Sequence, residues 1–442
     1  MAQFTGIPYE VVGRITSFIP RSNLPILCLV NSSLRGHAER SLYSTITLEW
    51  DDIYPLIPLL GTLLRRPEIF AYVRTVSLSM GGHGVVGSEA PSVEASDIPL
   101  EQFTSAIRKT QVPFTNLWVD KLNDGSVDAL VGLLIAHLSN VNKLSLDHFF
   151  GDHLDVIDKV LQSKAFDHIL PKFRQLQHIS YLKWAEYMKN EHDILFNDSI
   201  SIFYLQTLES IAVWIVNPSI FRWPAEKPNL DHLTSLEIHW LRAPFLAEIL
   251  ALTTNLRSLT WEWQYRPDTG DSWITPNLDL DEVSEALSHV KNTLEKLKIN
   301  AYEGDYPPGY DGPDVSMSGS LSGLLECNRI TDLILPLVCL AGLGPTPLPL
   351  DRYVPSSVET ISLTSYMLLD RSLAKWYPET WQFLDLEIIK MIQAFAENSR
   401  MRLSRLRLMN IVETEDAFQS TDIHAKLRKL SLWFKTRYIY DG

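Results

Sequence analysis

One spacing constrains the fold more than any other feature of this 442-residue chain: apolar-x-x-apolar-x-apolar, which recurs twelve times. It appears as Val73/Val76/Leu78, Phe114/Leu117/Val119, Val141/Leu144/Leu146, Leu176/Ile179/Tyr181, Leu208/Ile211/Val213 and Leu233/Leu236/Ile238. It continues as Leu256/Leu259/Trp261, Leu294/Leu297/Ile299, Ile330/Leu333/Leu335, Val358/Ile361/Leu363, Leu403/Leu406/Leu408 and Leu427/Leu430/Leu432. The last two apolar positions are two apart, so they share one face of a short strand. Helical spacing recurs between these strands, over Val127–Leu138, Phe245–Leu252, Asp281–Val290 and Leu386–Phe395. Strand, crossover helix and strand again describe a parallel sheet. One such unit cannot bury its apolar face alone, whereas stacked units share a continuous core.

From Val73 to Phe434 the pattern resembles the leucine-rich repeat in an irregular form. Asn300 and Asn410 are the nearest matches to the turn-capping residue of that family. The resemblance implies an α/β solenoid with its parallel sheet on the concave side and helices and loops outside. A non-repeating α/β domain with several short strands is the competing reading.

The first fifty residues follow a different rule. Pro8 opens a helix whose apolar face is Val11, Val12, Ile15, Phe18 and Ile19, and Pro20 stops it. Pro25 suits a second helix start, with Leu27, Cys28 and Val30 following. Asn31, Ser32 or Ser33 can cap a third helix carrying Leu34, Ala38 and Leu42. Three such helices cannot bury all these side chains among themselves. The string Ile7-Pro8-x-Glu10-Val11-Val12-x-x-Ile15, Phe18-Ile19, Asn23-Leu24, Leu27-x-Leu29-Val30-Asn31 and Leu34-Arg35 resembles an F-box. Its continuation through Leu42 to Ile46 is similar to fungal F-box proteins with degenerate leucine-rich repeats. A helical cap on the repeats is the alternative. The expected organisation is an F-box over residues 1–50, a linker helix or first cap over 51–72, and the repeat region over 73–442.

Acidic residues outnumber basic ones, 53 to 39, giving a net charge of −14. Such a chain is poorly suited to general binding of nucleic acid or an anionic membrane. No secretory signal or apolar run of spanning length stands in the sequence, and Cys28, Cys327 and Cys339 are too few and scattered for a disulfide framework. An intracellular chain, in cytoplasm or nucleus, is expected. Gly82-His83-Gly84-Val85-Val86-Gly87 matches a dinucleotide fingerprint, but the two prolines that follow deny it a helix start. Asp147, His148, Asp152 and His153 would suit a metal or a divergent hydrolase, yet no second cluster supports them, and a surface turn is expected. No catalytic residue, metal or cofactor is assigned.

The two resemblances together imply the substrate-receptor subunit of a cullin-RING ubiquitin ligase. The F-box would dock on a Skp-type adaptor, and through it a cullin scaffold, by Ile7, Pro8, Val11, Ile15, Leu24, Leu27, Val30 and Leu34. The rival is a leucine-rich-repeat scaffold or inhibitor without a ubiquitin-ligase role. Strand parity puts Asp120, Asp147, Glu237 and Glu262 outward in the earlier repeats. In the later repeats it puts Lys296, Lys298, Arg405, Arg407, Lys429 and Trp433 outward, with Asp332 among them. This basic patch, with Trp433 as anchor, is expected to hold an acidic or phosphorylated target protein.

Overall fold

The computed structural model describes residues 8–50, 52–79, 92–148, 154–166, 169–183, 192–265, 276–303, 316–341, 349, 352–364, 394–395 and 408–412. The chain is an α/β protein made of two compact units. The first holds residues up to 187 and 197–213, and the second 188–196 and everything from 214 onward.

In the first unit, helices α1 (Tyr9–Ser17), α2 (Leu24–Val30) and α3 (Ser32–Tyr43) lead directly into strand β1 (Thr45–Glu49). Helix α4 (Leu56–Arg65) and β2 (Thr75–Ser79) follow, then α5 (Leu100–Thr110), α6 (Thr115–Asn123), α7 (Val127–His137), β3 (Lys143–His148), α8 (Asp155–Phe166) and β4 (His178–Lys183). Helix α9 (His192–Ile200) and β5 (Ser210–Trp214) complete the series. The strands pair in sequence order, all parallel. One register row runs Ile46, Val76, Leu144, Ile179 and Ile211, and the next runs Leu48, Leu78, Leu146, Tyr181 and Val213. Every member of both rows is buried against the helices. Small polar residues, Thr47, Ser77, Ser145 and Ser180, occupy the row between them on the opposite face.

The second unit repeats the scheme with β6 (Ser235–His239), α10 (Ala243–Leu250), β7 (Ser258–Tyr265), β8 (Asn277–Asp279), α11 (Leu280–Ser288), β9 (Lys296–Glu303), β10 (Ser316–Ser318), β11 (Asp332–Pro336), α12 (Leu337–Ala341), β12 (Thr360–Thr364) and β13 (Leu408–Val412). Strands β6, β7, β9, β11, β12 and β13 pair parallel in that order, and β8 pairs with β10 in a separate two-stranded ribbon. Leu236, Leu259, Leu297, Leu333 and Ile361 share one register row and are buried. Each such side chain contributes about 1.5–3 kcal/mol through removal from water.

Three sequence expectations change. Phe114/Leu117/Val119 lies at α6, not in a strand. There Trp118 and Leu122, four apart, are the buried pair, and Trp118 Nε1 donates to the Ala129 carbonyl at 2.9 Å. Asp120 therefore sits on a helix and not on the sheet. Second, residues 45–49 form a strand paired with β2, where no strand was expected. Third, β13 is shifted by three residues. Met409 and Ile411 take the register positions beside Ile361 and Leu363, and Leu408 stands beside Thr360. The repeat expected at Leu427/Leu430/Leu432 and the glycine motif at 82–87 lie outside the described residues.

Candidate docking surfaces

The N-terminal helices are built as expected, and their apolar residues divide into two sets. Asn31 caps α3 by accepting from the Leu34 N–H at 2.8 Å. Val12, Leu24, Leu34 and Ala38 are buried and hold the helices together. Val11 and Ile15 on α1 and Phe18 at its C-cap, spaced i, i+4, i+7, are 46%, 48% and 78% exposed. On α2, Ile26, Leu29 and Val30 are exposed as well. Of the residues expected to meet an adaptor, Pro8, Val11, Ile15 and Val30 are thus at the surface, Leu27 is half-buried, and Leu24 and Leu34 are core. Ile7 lies outside the described residues. Phe18 and Leu29, motif residues not assigned to the adaptor, and Ile26 are further surface members. Helical spacing already puts Phe18 on the Val11/Ile15 stripe.

These helices are fastened to the sheet unit. Arg66, just after α4, makes two hydrogen bonds of 2.9 Å to the Glu39 carboxylate of α3. The Arg66 hydrogen bonds hold the Glu39 carboxyl below its ordinary range despite partial burial. A bidentate pair of this kind fixes orientation as well as distance. The exposed apolar stripes therefore stand on a set support.

A second surface lies on the polar face of the second unit. His239 at the end of β6 sits between two carboxylates. Its Nε2 is 2.9 Å from Glu237 Oε1, and its Nδ1 is 3.0 Å from Glu262 Oε2, off the line of a good hydrogen bond. Burial pulls the imidazolium pKa down, but the two glutamates outweigh it and raise it to about 9. Glu237 is correspondingly held below its ordinary value, mainly by the His239 hydrogen bond. Trp240, the next residue, has a left-handed backbone with φ of 71°. Such a conformation costs a non-glycine residue on the order of 1–3 kcal/mol and persists only where neighbours impose it. Asn217 does so here. Its amide donates to the Trp240 carbonyl at 2.9 Å and accepts from the Arg242 N–H at 2.8 Å, bracketing the turn. The Trp240 ring stacks on Trp214 at 5.1 Å, and Trp214 meets the His239 ring edge-on at 5.8 Å. Asn217→Ala is expected to cost about 1–3 kcal/mol, because two part-buried backbone groups lose their partner. Chemical denaturation checks it, and an unchanged midpoint would remove Asn217 from this role.

Lys296 and Lys298 fall on this same face, one exposed and one half-buried. They do not stand alone in charge. Asp332 is beside Lys296 in register, and Lys298 shares its row with Glu237. Arg405, Arg407, Lys429 and Trp433 lie outside the described residues. Asp147 and His148 close β3, while Asp152 and His153 lie outside the described residues. Among the described residues no group of three His, Cys, Asp or Glu could hold a metal ion, and no helix is long and apolar enough to cross a membrane. No family model matches the chain, and no curated protein matches it in sequence.

Proposed function

We propose that this protein is the substrate receptor of a Skp/cullin/F-box ubiquitin ligase. In this reading α1 to α3 are the F-box and dock on a Skp-type adaptor. The two parallel-strand units are irregular leucine-rich repeats that hold the target. The observation that carries the proposal is the exposure of Val11, Ile15 and Val30 at F-box motif positions, joined by Phe18, Ile26 and Leu29. Large exposed apolar side chains on two short helices that both pack on α3 support a protein-interaction surface. The chain supplies no reacting group. It accelerates transfer by bringing the target near the conjugating enzyme, an effect of proximity and orientation. The test is affinity purification of the full chain from cells. The adaptor and a cullin should co-elute in stable ratio, and recovery of neither would refute the reading.

A further inference from the structure

The polar face beside His239 carries acceptors whose donors are missing. Glu262 and Asn300 are register neighbours on β7 and β9, and Gln264 lies one step along the same face of β7. Gln264 is 8% exposed and Glu262 5%. The side-chain carbonyls Gln264 Oε1 and Asn300 Oδ1 are both buried and both without a hydrogen-bond partner. Native proteins rarely leave such atoms unsatisfied, and a bound group is one of the standard reasons when they do. His239 does not serve them, since both its ring nitrogens face the carboxylates of Glu237 and Glu262. Glu237, one row back with Thr260 and Lys298, remains 42% exposed and marks the open side of this face.

We propose that this face binds the guanidinium of an arginine side chain presented by the target, with Gln264, Asn300 and the two glutamates as its acceptors. The inference rests on the receptor reading only in calling the ligand a target. A guanidinium offers five donors in one plane and no acceptor, so it can satisfy two neighbouring carbonyls and a carboxylate together. An ammonium offers a single point of charge to the same spread of acceptors. The stacked Trp214 and Trp240 rings adjoin His239 at this end of the strands, where aromatic surface suits a planar cation. Lys298, on the same face two residues before Asn300, opposes a bound cation and would favour an acidic ligand, so its removal separates the two.

The test uses the tryptophan fluorescence of the full chain, titrated with acetyl-Gly-Arg-Gly-amide and with its citrulline counterpart. Salt is held at about 0.15 M to screen the general attraction of an acidic chain. The arginine peptide should saturate, and the neutral citrulline peptide should bind at least about tenfold more weakly, since charge-assisted hydrogen bonds are the stronger ones. Gln264→Met should weaken arginine-peptide binding about tenfold while leaving the melting temperature equal or higher, because it removes a buried unpaired acceptor. Glu237→Gln should weaken binding without unfolding the chain. Lys298→Met should tighten it by about threefold through loss of the opposing charge. Adaptor co-purification should be unchanged in all three variants, so loss of the adaptor and loss of arginine binding are read separately. Equal binding of the two peptides, or undiminished binding by Gln264→Met, would overturn the proposal. So would a fall in melting temperature on Gln264→Met with binding intact, which would show that the acceptors are satisfied by water within the fold.

Discussion

The double substitution Val11→Asp, Ile15→Asp is expected to abolish adaptor capture and to leave the rest of the chain folded. Both side chains are about half exposed on α1, so the charges meet water in the free protein. In a docked complex the same charges would be buried without partners. An unpaired buried charge costs several kcal/mol, and the lost apolar burial adds about 1.5–3 kcal/mol for each side chain. Together these exceed the roughly 5.5 kcal/mol that separates a ten-thousandfold difference in affinity. Pull-down with the adaptor measures the effect, and circular dichroism with thermal melting verifies the fold. Val12→Asp makes the contrasting control. Val12 is 8% exposed, so that change should damage the helical unit itself. Undiminished capture by the Val11/Ile15 variant would remove α1 from the interface.

The second large effect is a pH dependence centred on His239. Its folded pKa of about 9 lies above the ordinary value of 6.5. The stabilisation is therefore fully present below pH 6.5, where the imidazole is protonated folded or unfolded, and is lost as pH rises through about 9. The linkage relation puts it on the order of 3 kcal/mol. His239→Gln removes the charge, so the stability gap between native and variant proteins should shrink by that amount between pH 6.5 and pH 10. Urea unfolding at the two pH values measures it. Lys164 provides the opposite slope in the first unit. Burial lowers its pKa to about 7, although its Nζ donates to the carbonyls of Leu138 and Pro171. Stability from that site rises between pH 7 and pH 10.5, which is why the comparison must be native against variant. A gap that stays constant across the range would mean that His239 is not held as a cation.

Most of the strands were legible because a buried strand face writes itself with period two. The misreadings share a cause. Apolar-x-x-apolar is also helical spacing, so Phe114 and Leu117 fit α6 as well as a strand, and the larger Trp118 decided for the helix. Tyr43/Ile46/Leu48 carries the same spacing as the other strands, but it adjoins a strong helical motif and is easily absorbed into it. At β13 two frames overlap, Leu403/Leu406/Leu408 and Leu406/Met409/Ile411, and only pairing with β12 selects the second. The N-terminal helices were legible as amphipathic segments, but which apolar residues face outward depends on how α1 and α2 pack on α3. The ion triad was not legible. Parity placed Glu237 and Glu262 on the polar face, while the burial of Glu262 and its approach to His239 depend on the β6–β7 register.

In the proposed function α1 and α2 form the surface that meets the adaptor. Amide hydrogen exchange of the full chain, alone and mixed with a purified Skp-type adaptor, tests it most directly. Slowed exchange should appear across residues 8–43, strongest over α1 and α2, with the strands of both units unchanged. Exchange that is unaltered over those helices, or slowed only in the sheet regions, would contradict the account.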